Sequence, residues 1–389
     1  MSAVHLIVVV TLLLGGSRLL AEGTTPAAGA NRMLTADEIK LLAGLLRPEW
    51  QTSLELKTGL GWNSNVLLAG TAREASGFAR ADLETFFWFQ PQGTPPVEVT
   101  GFLNASRRDF FSAGDSPENN EVFAQTEARW RPVPALRLSL RAQGYYLDSV
   151  LDLSTESDRL AARLKTTGCI WGGGLRWDLG RGFALEATGA LTRSHFWDIP
   201  EDYGETRAGG RLAWQSADGR VVLGAGAFQR NRRYDERNRT TPAGRPLSGT
   251  RLRYRQPEGE LSAALKAKWR GDWQATAVLN GSRNSDNGGG YFDYHQVGVR
   301  CNLDWVEGPW EGGLALAASR YRWDVQTVGI GLDPPHRARR DRSCSLELKR
   351  ELAPHWLAFV EAEREWIDSN DVTTSYSVTK FSAGVGWKL

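Results

Sequence analysis

The chain has 389 residues, an apolar fraction of 41 % and a formal net charge of +2. Its mean hydropathy is negative, and no run of about eighteen apolar residues follows the N-terminus, so the composition excludes helical membrane spans. The nearly neutral charge argues against nucleic-acid binding. Tryptophan is abundant, with 16 copies against 2 methionines, and this residue is typical of membrane interfaces.

The first residues have the pattern of an export signal. Leu6 to Leu14 form an apolar core, and small residues follow it, which predicts a signal peptide over residues 1–21 with cleavage between Ser17 and Ala21. No Lys or Arg precedes the core, so a retained anchor helix is the alternative, although the apolar run is short for a span.

Residues 22–49 predict a linker followed by a short helix. The segment from Glu22 to Asn31 is small and polar. Thr35 and Glu38 have the capping-box spacing, an apolar stripe follows them, and Pro48 ends the pattern. The helix is expected to cover the first strand, or else to act as a lumen plug or lie at the periplasmic mouth.

From residue 50 to residue 389 apolar and polar residues alternate, which is typical of strands with one apolar face. The last strand has its apolar face at Thr379, Phe381, Ala383, Val385, Trp387 and Leu389. An exposed apolar edge of this kind invites aggregation. We therefore expect the last strand to pair with the first, whose apolar face runs from Leu54 to Trp62, and to close a barrel whose outer face meets lipid.

The connections fall into two alternating kinds. Short turns are expected at Pro91–Pro96, Pro132–Pro134, Asp178–Gly182, Ser216–Arg220, Arg270–Asp272, Glu307–Pro309 and Glu351–Pro354. Long polar loops are expected at Asn63–Ser76, Phe111–Asn119, Ser149–Arg159, Trp197–Gly204, Tyr234–Gly249, Asn284–Gly290, Asp324–Arg340 and Asp368–Ser375. Aromatic residues cluster beside both kinds, as two interface girdles would.

These connections predict an all-β fold, a transmembrane antiparallel up-and-down β-barrel of about 16 strands over residues 50–389, with a short N-terminal helix before it. The even strand number suits a bacterial single-chain barrel in the cell outer membrane. A large soluble β-sandwich or propeller is the competing fold, but the sequence has no repeated blade motif.

Two short phrases resemble known outer-membrane barrels. The segment Gly59 to Val66 resembles the start of Gram-negative barrels of exopolysaccharide-operon proteins and of surface lipoprotein assembly modifiers. The C-terminus resembles the assembly signal of outer-membrane proteins, filled here by Ser382, Gly384, Trp387 and Leu389. The resemblance implies the outer-membrane assembly machinery as a partner.

The sequence predicts no catalysis. Only 5 histidines occur, and none belongs to a hydrolase, metalloprotease or phosphate-loop motif. Cys169, Cys301 and Cys344 have neither metal-ligand nor disulfide spacing. The protein is therefore not expected to be an enzyme, and no metal or cofactor is expected.

Charged residues on the inward faces indicate a wet lumen. A basic wall is expected from Arg137, Arg141, Arg176, Arg207 and Arg211, and an acidic wall from Glu311, Glu347, Glu361, Glu363 and Glu365. Opposed walls would create a transverse field that filters polar solutes. The alternative is that these charges pair with their neighbours and fill a closed lumen.

The leading functional prediction is a porin-like aqueous channel for small hydrophilic solutes. An export or assembly barrel for a polysaccharide or a surface lipoprotein is the alternative, and a closed structural or adhesive barrel is the third. Outer-membrane lipid and lipopolysaccharide are expected partners. Two loop clusters could hold lipopolysaccharide phosphates or an acidic polymer: Arg230, Arg232, Arg233, Arg237 and Arg239, and Arg337, Arg339, Arg340 and Arg342.

Overall fold

The computed structural model describes residues 50–70, 73–91, 97–113, 118–152 and 161–389. The predicted signal peptide, linker and short helix lie outside these ranges. Within them, no helix is long and apolar enough to cross a bilayer.

The described chain forms sixteen strands and one short 3-10 turn, so the predicted strand number is confirmed. The strands are β1 (Trp50–Asn63), β2 (Ser76–Phe89), β3 (Val97–Phe110), β4 (Glu118–Val133), β5 (Leu136–Asp152), β6 (Ala161–Gly180), β7 (Phe183–Phe196), β8 (Tyr203–Gln215), β9 (Val221–Thr240), β10 (Pro246–Lys268), β11 (Asp272–Asp286), β12 (Tyr294–Glu307), β13 (Trp310–Thr327), β14 (His336–Ala353), β15 (Trp356–Ser369) and β16 (Tyr376–Lys388). The 3-10 turn, Val372–Thr374, precedes β16.

The strands form a single closed sheet. Each strand pairs antiparallel with its neighbours in the sequence, and β1 pairs with β16 to close the barrel. This confirms the predicted partner of the last strand. At the end of the seam, the backbones of Leu54 and Leu389 exchange two hydrogen bonds, of 2.9 and 3.2 Å.

Glycines on β1 and β16, the two strands that close the barrel, allow neighbouring backbone and side-chain atoms to lie close to them. Gly59 lies opposite Gly384, and a Cβ added at Gly384 would lie 2.0 Å from the backbone oxygen of Thr58. A Cβ at Gly61 would lie 2.3 Å from the ring of Phe78, which covers that glycine. Gly61 therefore leaves room for the Phe78 ring, and Gly384 allows close approach of the β1 backbone.

The two ends of the barrel differ in their connections. Seven short or turn-rich connections lie at one end, the short-turn end, and the eight connections that follow odd-numbered strands lie at the other, the long-loop end. Two of the predicted loops are wrong in extent. Within Tyr234–Gly249, β9 continues to Thr240 and β10 starts at Pro246, and within Asp324–Arg340 only residues 328–335 lie between strands. Their polar residues alternate as regularly as those of the other strands, so high polarity alone misplaced the strand ends.

The outer face of the barrel is apolar. Leu60, Leu140 and Leu191 are 65, 71 and 60 % exposed, although each lies in the middle of a strand. Buried apolar clusters lie instead near the long-loop end, where Tyr234, Leu252, Tyr254 and Phe292 pack together. The described residues form no central core of the kind that stabilises a soluble sandwich.

Candidate functional site: the barrel lumen

The strand register determines which side chains share the inner face. Lys57 of β1 lies opposite Asp82 of β2, and Gly61 lies opposite Ser382 of β16. Because directly paired residues point to the same side of a sheet, the pairing can be followed around the barrel. All ten residues predicted to line the pore lie on this inner face: Arg137, Arg141, Arg176, Arg207, Arg211, Glu311, Glu347, Glu361, Glu363 and Glu365.

The predicted basic residues lie together on β5 to β8, but most of them have acidic neighbours. Arg176 contacts Asp178 at 3.0 Å and Glu186 at 2.8 Å. Arg207 contacts Glu258 at 2.9 Å, and Arg211 lies 4.0 Å from Glu186. These pairs lower the positive field that the sequence pattern indicates.

Arg137 and Arg141 differ from the other basic residues. They lie on the same face of β5, opposite Arg176 and Gly172 of β6. Among the described residues, neither has a carboxylate within ion-pair distance. The net positive charge of this side of the lumen is therefore concentrated on β5.

The predicted acidic wall is more strongly neutralised. Glu347 contacts Lys57 at 3.3 Å and Lys349 at 3.1 Å. Glu363 contacts Lys380 at 3.2 Å, and Glu361 pairs with Arg80. Glu365 accepts a hydrogen bond of 3.3 Å from the Tyr376 hydroxyl. Glu311 has no such partner within the described ranges, although Lys349 lies opposite it in the register.

Lys57 and Arg80 are the main residues that the pore-lining prediction missed. Lys57 is 5 % exposed and lies 3.2 Å from both Glu55 and Glu84. Arg80 is 8 % exposed, contacts Asp82 at 2.6 Å and donates a hydrogen bond of 2.6 Å to Ser382 Oγ. Both stand at inward positions of the alternating pattern. Each has one acidic partner on its own strand, but Glu347 and Glu361 lie on β14 and β15, so only closure of the barrel brings these groups together.

These ion pairs border a cavity of about 530 Å³ on the inner wall. Its charged lining has four cations, Lys57, Arg80, Arg108 and Lys380, and seven carboxylates, Asp82, Glu84, Glu121, Asp304, Glu347, Glu361 and Glu363. The excess of carboxylates makes this side of the lumen acidic despite the pairing. Polar groups that alternate in sign suit a water-filled space better than a dry one.

Small residues occupy the wall near the unpaired arginines. Gly172, Gly174, Gly209 and Gly226 all take inward positions on β6, β8 and β9. A Cβ at Gly172 would meet only ordinary contacts, the nearest at 3.5 Å. Gly172 therefore leaves space beside Arg141, whereas Ser139 covers Gly174 and the Phe228 ring covers Gly209 and Gly226.

The four residues of the predicted assembly signal lie on β16 and at its end. Ser382 is 3 % exposed and bonds to Arg80, whereas Gly384 faces the backbone of β1. Trp387 lies opposite Leu56 on one side and Trp356 on the other, and Leu389 is 68 % exposed. The first two residues therefore help to build the inner wall, and the last two belong to the apolar outer face.

The two predicted arginine clusters divide between the faces of the barrel, because all of their members lie on strands. Arg230 and Arg232 face inward and pair with Glu258 at 2.7 Å and Glu205 at 2.8 Å. Arg337 and Arg339 are 7 and 5 % exposed. The prediction that each set forms one loop cluster is therefore wrong.

Comparison with known proteins gives structural likeness only. No protein-family model matches the chain, and no curated protein matches its sequence. OccAB4 of Acinetobacter baumannii superposes with a TM-score of 0.49 and 8 % identity, over 88 % of this chain and 99 % of that one. OpdK of Pseudomonas aeruginosa, solved with vanillate, has a TM-score of 0.45 and 12 % identity, over 87 and 98 %.

An anion-selective porin from Comamonas acidovorans has a TM-score of 0.42 and 10 % identity, over 87 % of this chain and 99 % of that one. Identities and TM-scores this low do not transfer a solute preference. The chemistry of this lumen has to be taken from its own side chains.

Proposed function

We propose that the protein is an outer-membrane β-barrel that forms a porin-like aqueous channel for small hydrophilic solutes. One observation carries the proposal: a closed sixteen-stranded sheet has an apolar outer face and a charged inner face. A sheet of this kind satisfies every backbone group by pairing, so it can lie in hydrocarbon. A barrel of sixteen strands is wide enough for an aqueous channel.

The height of the apolar band supports the membrane placement. Outward tryptophans near the short-turn end lie ten positions from polar or aromatic residues near the long-loop end of the same strand. Examples are Trp310 and Arg320 on β13, and Trp356 and Trp366 on β15. Ten residues of tilted strand rise about 25 Å along a barrel axis. This is the height of the apolar band in outer-membrane barrels.

The inner wall supports a passage for polar solutes. The unpaired arginines of β5 and the acidic cavity beside Lys57 lie on different parts of the wall. A solute with both charges would be attracted at both places. The proposal assigns the protein no catalytic role.

The alternative is an export or assembly barrel for a polysaccharide or a surface lipoprotein, and it depends on the phrase Gly59 to Val66. Several residues of this phrase have structural roles. Asn65 is fully buried, and its side-chain nitrogen donates hydrogen bonds to the carbonyls of Ala69 and Ser377. Ser64 Oγ accepts a bond of 2.7 Å from the Thr379 amide. Anchoring of the first hairpin explains these residues without an exported cargo.

Conductance of the folded full-length protein in planar bilayers tests the proposal. A steady open conductance is expected. Replacing Arg137 and Arg141 with Gln removes two unpaired positive charges and is expected to shift the reversal potential in a salt gradient toward cation selectivity. Arg107→Gln/Arg193→Gln is the matched control, because it removes the same charge from the outer surface.

Each other outcome has a separate meaning. Conductance that appears only after deletion of residues 31–48 favours a gated exporter. A barrel that inserts but never conducts contradicts both the channel and the exporter. An equal shift of the reversal potential in the control variant contradicts the role of the β5 arginines.

A further inference from the structure

The outward face of β13 to β15 carries a dense group of arginines near the long-loop end. Arg320 lies on β13, Arg340 and Arg342 on β14, and Arg364 on β15, and all four are exposed. We call this group the outer basic face. Arg320 lies directly opposite Arg340 in the strand register. Like charges at directly opposed positions destabilise a sheet unless another group neutralises them.

The outer basic face has few acidic neighbours. Among the described residues, only Asp368 lies within ion-pair distance, at 3.7 Å from Arg342. Arg364 stacks over the Trp366 ring, with its guanidinium carbon 4.8 Å from the ring centroid. The face therefore has a net positive charge that the described chain leaves largely uncompensated.

Two outward arginines at the same end of the barrel, Arg107 and Arg193, are paired. Arg107 contacts Asp109 at 2.8 Å and Glu118 at 3.0 Å. Arg193 donates a hydrogen bond of 3.1 Å to Asp235. Arg107 and Arg193 are therefore neutralised references at this end, against which the outer basic face can be compared.

The positive surface continues onto the neighbouring strands. Arg322 of β13 lies opposite His295 of β12, which lies opposite Arg283 of β11. Asp324 is the acidic neighbour, 3.6 Å from Arg283 and 3.5 Å from His295. Five adjacent strands therefore present cationic or ionisable groups at the same level.

This level coincides with the edge of the apolar band. Arg283, His295 and Arg320 each lie ten positions from an outward tryptophan near the short-turn end, at Trp273, Trp305 and Trp310. The separation corresponds to about 25 Å along the axis. In the membrane placement proposed above, the arginines therefore lie at the headgroups of the leaflet that faces the long loops.

Exposed apolar side chains lie directly below the arginines. Leu316, Leu346 and Val360 are 44, 52 and 41 % exposed on the same three strands. A ligand that contacts both levels needs anionic headgroups joined to hydrocarbon chains. A soluble anion would contact the arginines alone.

We propose that the outer basic face binds the phosphate groups of lipopolysaccharide, with its acyl chains lying against the apolar residues below. Arginine binds phosphate through two parallel N–H donors, and this geometry suits a fixed headgroup better than a diffuse ion cloud. The bound phosphate neutralises the opposed Arg320 and Arg340. The inference rests on the membrane placement of the proposed function, but it does not depend on conduction.

Binding of bis-phosphorylated lipid A to the detergent-solubilised, folded full-length protein tests the inference, with native mass spectrometry as the readout. Arg320→Gln/Arg340→Gln is expected to weaken binding about 25-fold, from about fivefold for each arginine at a lipid surface. Arg107→Gln/Arg193→Gln removes the same charge from paired sites and is expected to leave binding within about twofold.

Lipid A without phosphates is expected to bind the wild-type protein weakly. Its affinity should not exceed the affinity of the Arg320→Gln/Arg340→Gln variant for intact lipid A. The inference is overturned if both lipids bind the wild type equally, or if the test and control variants lose the same affinity. Inorganic polyphosphate that competes as well as lipid A indicates a site for soluble polyanions and also overturns it.

Bilayer conductance separates this inference from the proposed function. A variant that inserts and conducts like the wild type but does not lose lipid A affinity contradicts the lipid site alone. Failure of the wild-type protein to insert contradicts the membrane placement itself.

Discussion

Lys57 is the residue whose removal tests the ion-pair network most directly. Its ammonium group lies 3.2 Å from Glu55, 3.2 Å from Glu84 and 3.3 Å from Glu347, and only 4 % of its side chain is exposed. Replacement with Met keeps the length of the side chain and removes the charge. The three carboxylates then lose a shared partner next to the β1–β16 seam.

The expected cost follows from the remaining partners. Removing one member of a buried ion pair costs about 3–5 kcal/mol of unfolding free energy. Lys349 still contacts Glu55 at 3.3 Å and Glu347 at 3.1 Å, whereas the described structure offers Glu84 no second cation. We therefore expect Lys57→Met to lose about 3 kcal/mol, at the lower end of that range.

Urea unfolding of the barrel in lipid vesicles measures the loss. Lys268→Met is the control, because Lys268 is 84 % exposed in its side chain and pairs with Asp272 at 3.5 Å, a surface contact that contributes at most about 1 kcal/mol. Adding Glu84→Gln to Lys57→Met is expected to recover part of the stability. Equal unfolding midpoints for the Lys57 and Lys268 variants would refute the reasoning.

Three further predictions concern the seam, the C-terminus and one loop. Replacing Trp387 and Leu389 with Asp is expected to abolish insertion, because two charges would enter the apolar outer face; normal membrane levels by heat-modifiable gel mobility would contradict this. Gly384→Ala is expected to destabilise the barrel by about 2 kcal/mol, because the added carbon would lie 2.0 Å from a backbone oxygen. Gly189→Ala is the control, because its added carbon meets nothing within 4 Å, and it should leave the urea midpoint nearly unchanged. Burial raises the pKa of Asp293 in the β11–β12 loop, with repulsion from nearby carboxylates adding to the effect. Because the folded-state pKa is raised, the contribution of Asp293 to stability is present at low pH and lost as the pH rises through that pKa. Asp293→Asn should therefore reduce the difference in melting temperature between pH 4 and pH 7. An unchanged difference would mean that other groups cause the pH dependence.

The predicted short turns and the faces of most strands agree with the structure because the barrel repeats one simple rule. Alternation specifies which side of a strand is apolar, and each short turn marks one strand end. Leu60 and Leu140, placed on apolar faces by this pattern, are among the most exposed leucines. The same rule placed all ten predicted pore-lining residues on the inner face.

Two features are misplaced when polar segments are taken as loops. Polar strand extensions look like loops in the sequence. The predicted loop therefore ends β9 too early and begins β10 too late. Arginine clusters look like patches, but alternation sends Arg339 inward and Arg340 outward. The pattern was available in both cases, and a period of two applied through the polar segments would have found it.

The strand number, the two faces and the closure of β1 on β16 follow from alternation and turn residues along the chain. The ion pairs, in contrast, depend on how the closed barrel brings distant strands together. Lys57 reaches Glu347 and Arg80 reaches Glu361 across the closed seam, between strands at opposite ends of the chain. Ion pairs of this range depend on register and on the curvature of the wall, which no local pattern encodes. The excess of carboxylates in the acidic cavity and the net positive charge of the outer basic face are what remains after that pairing.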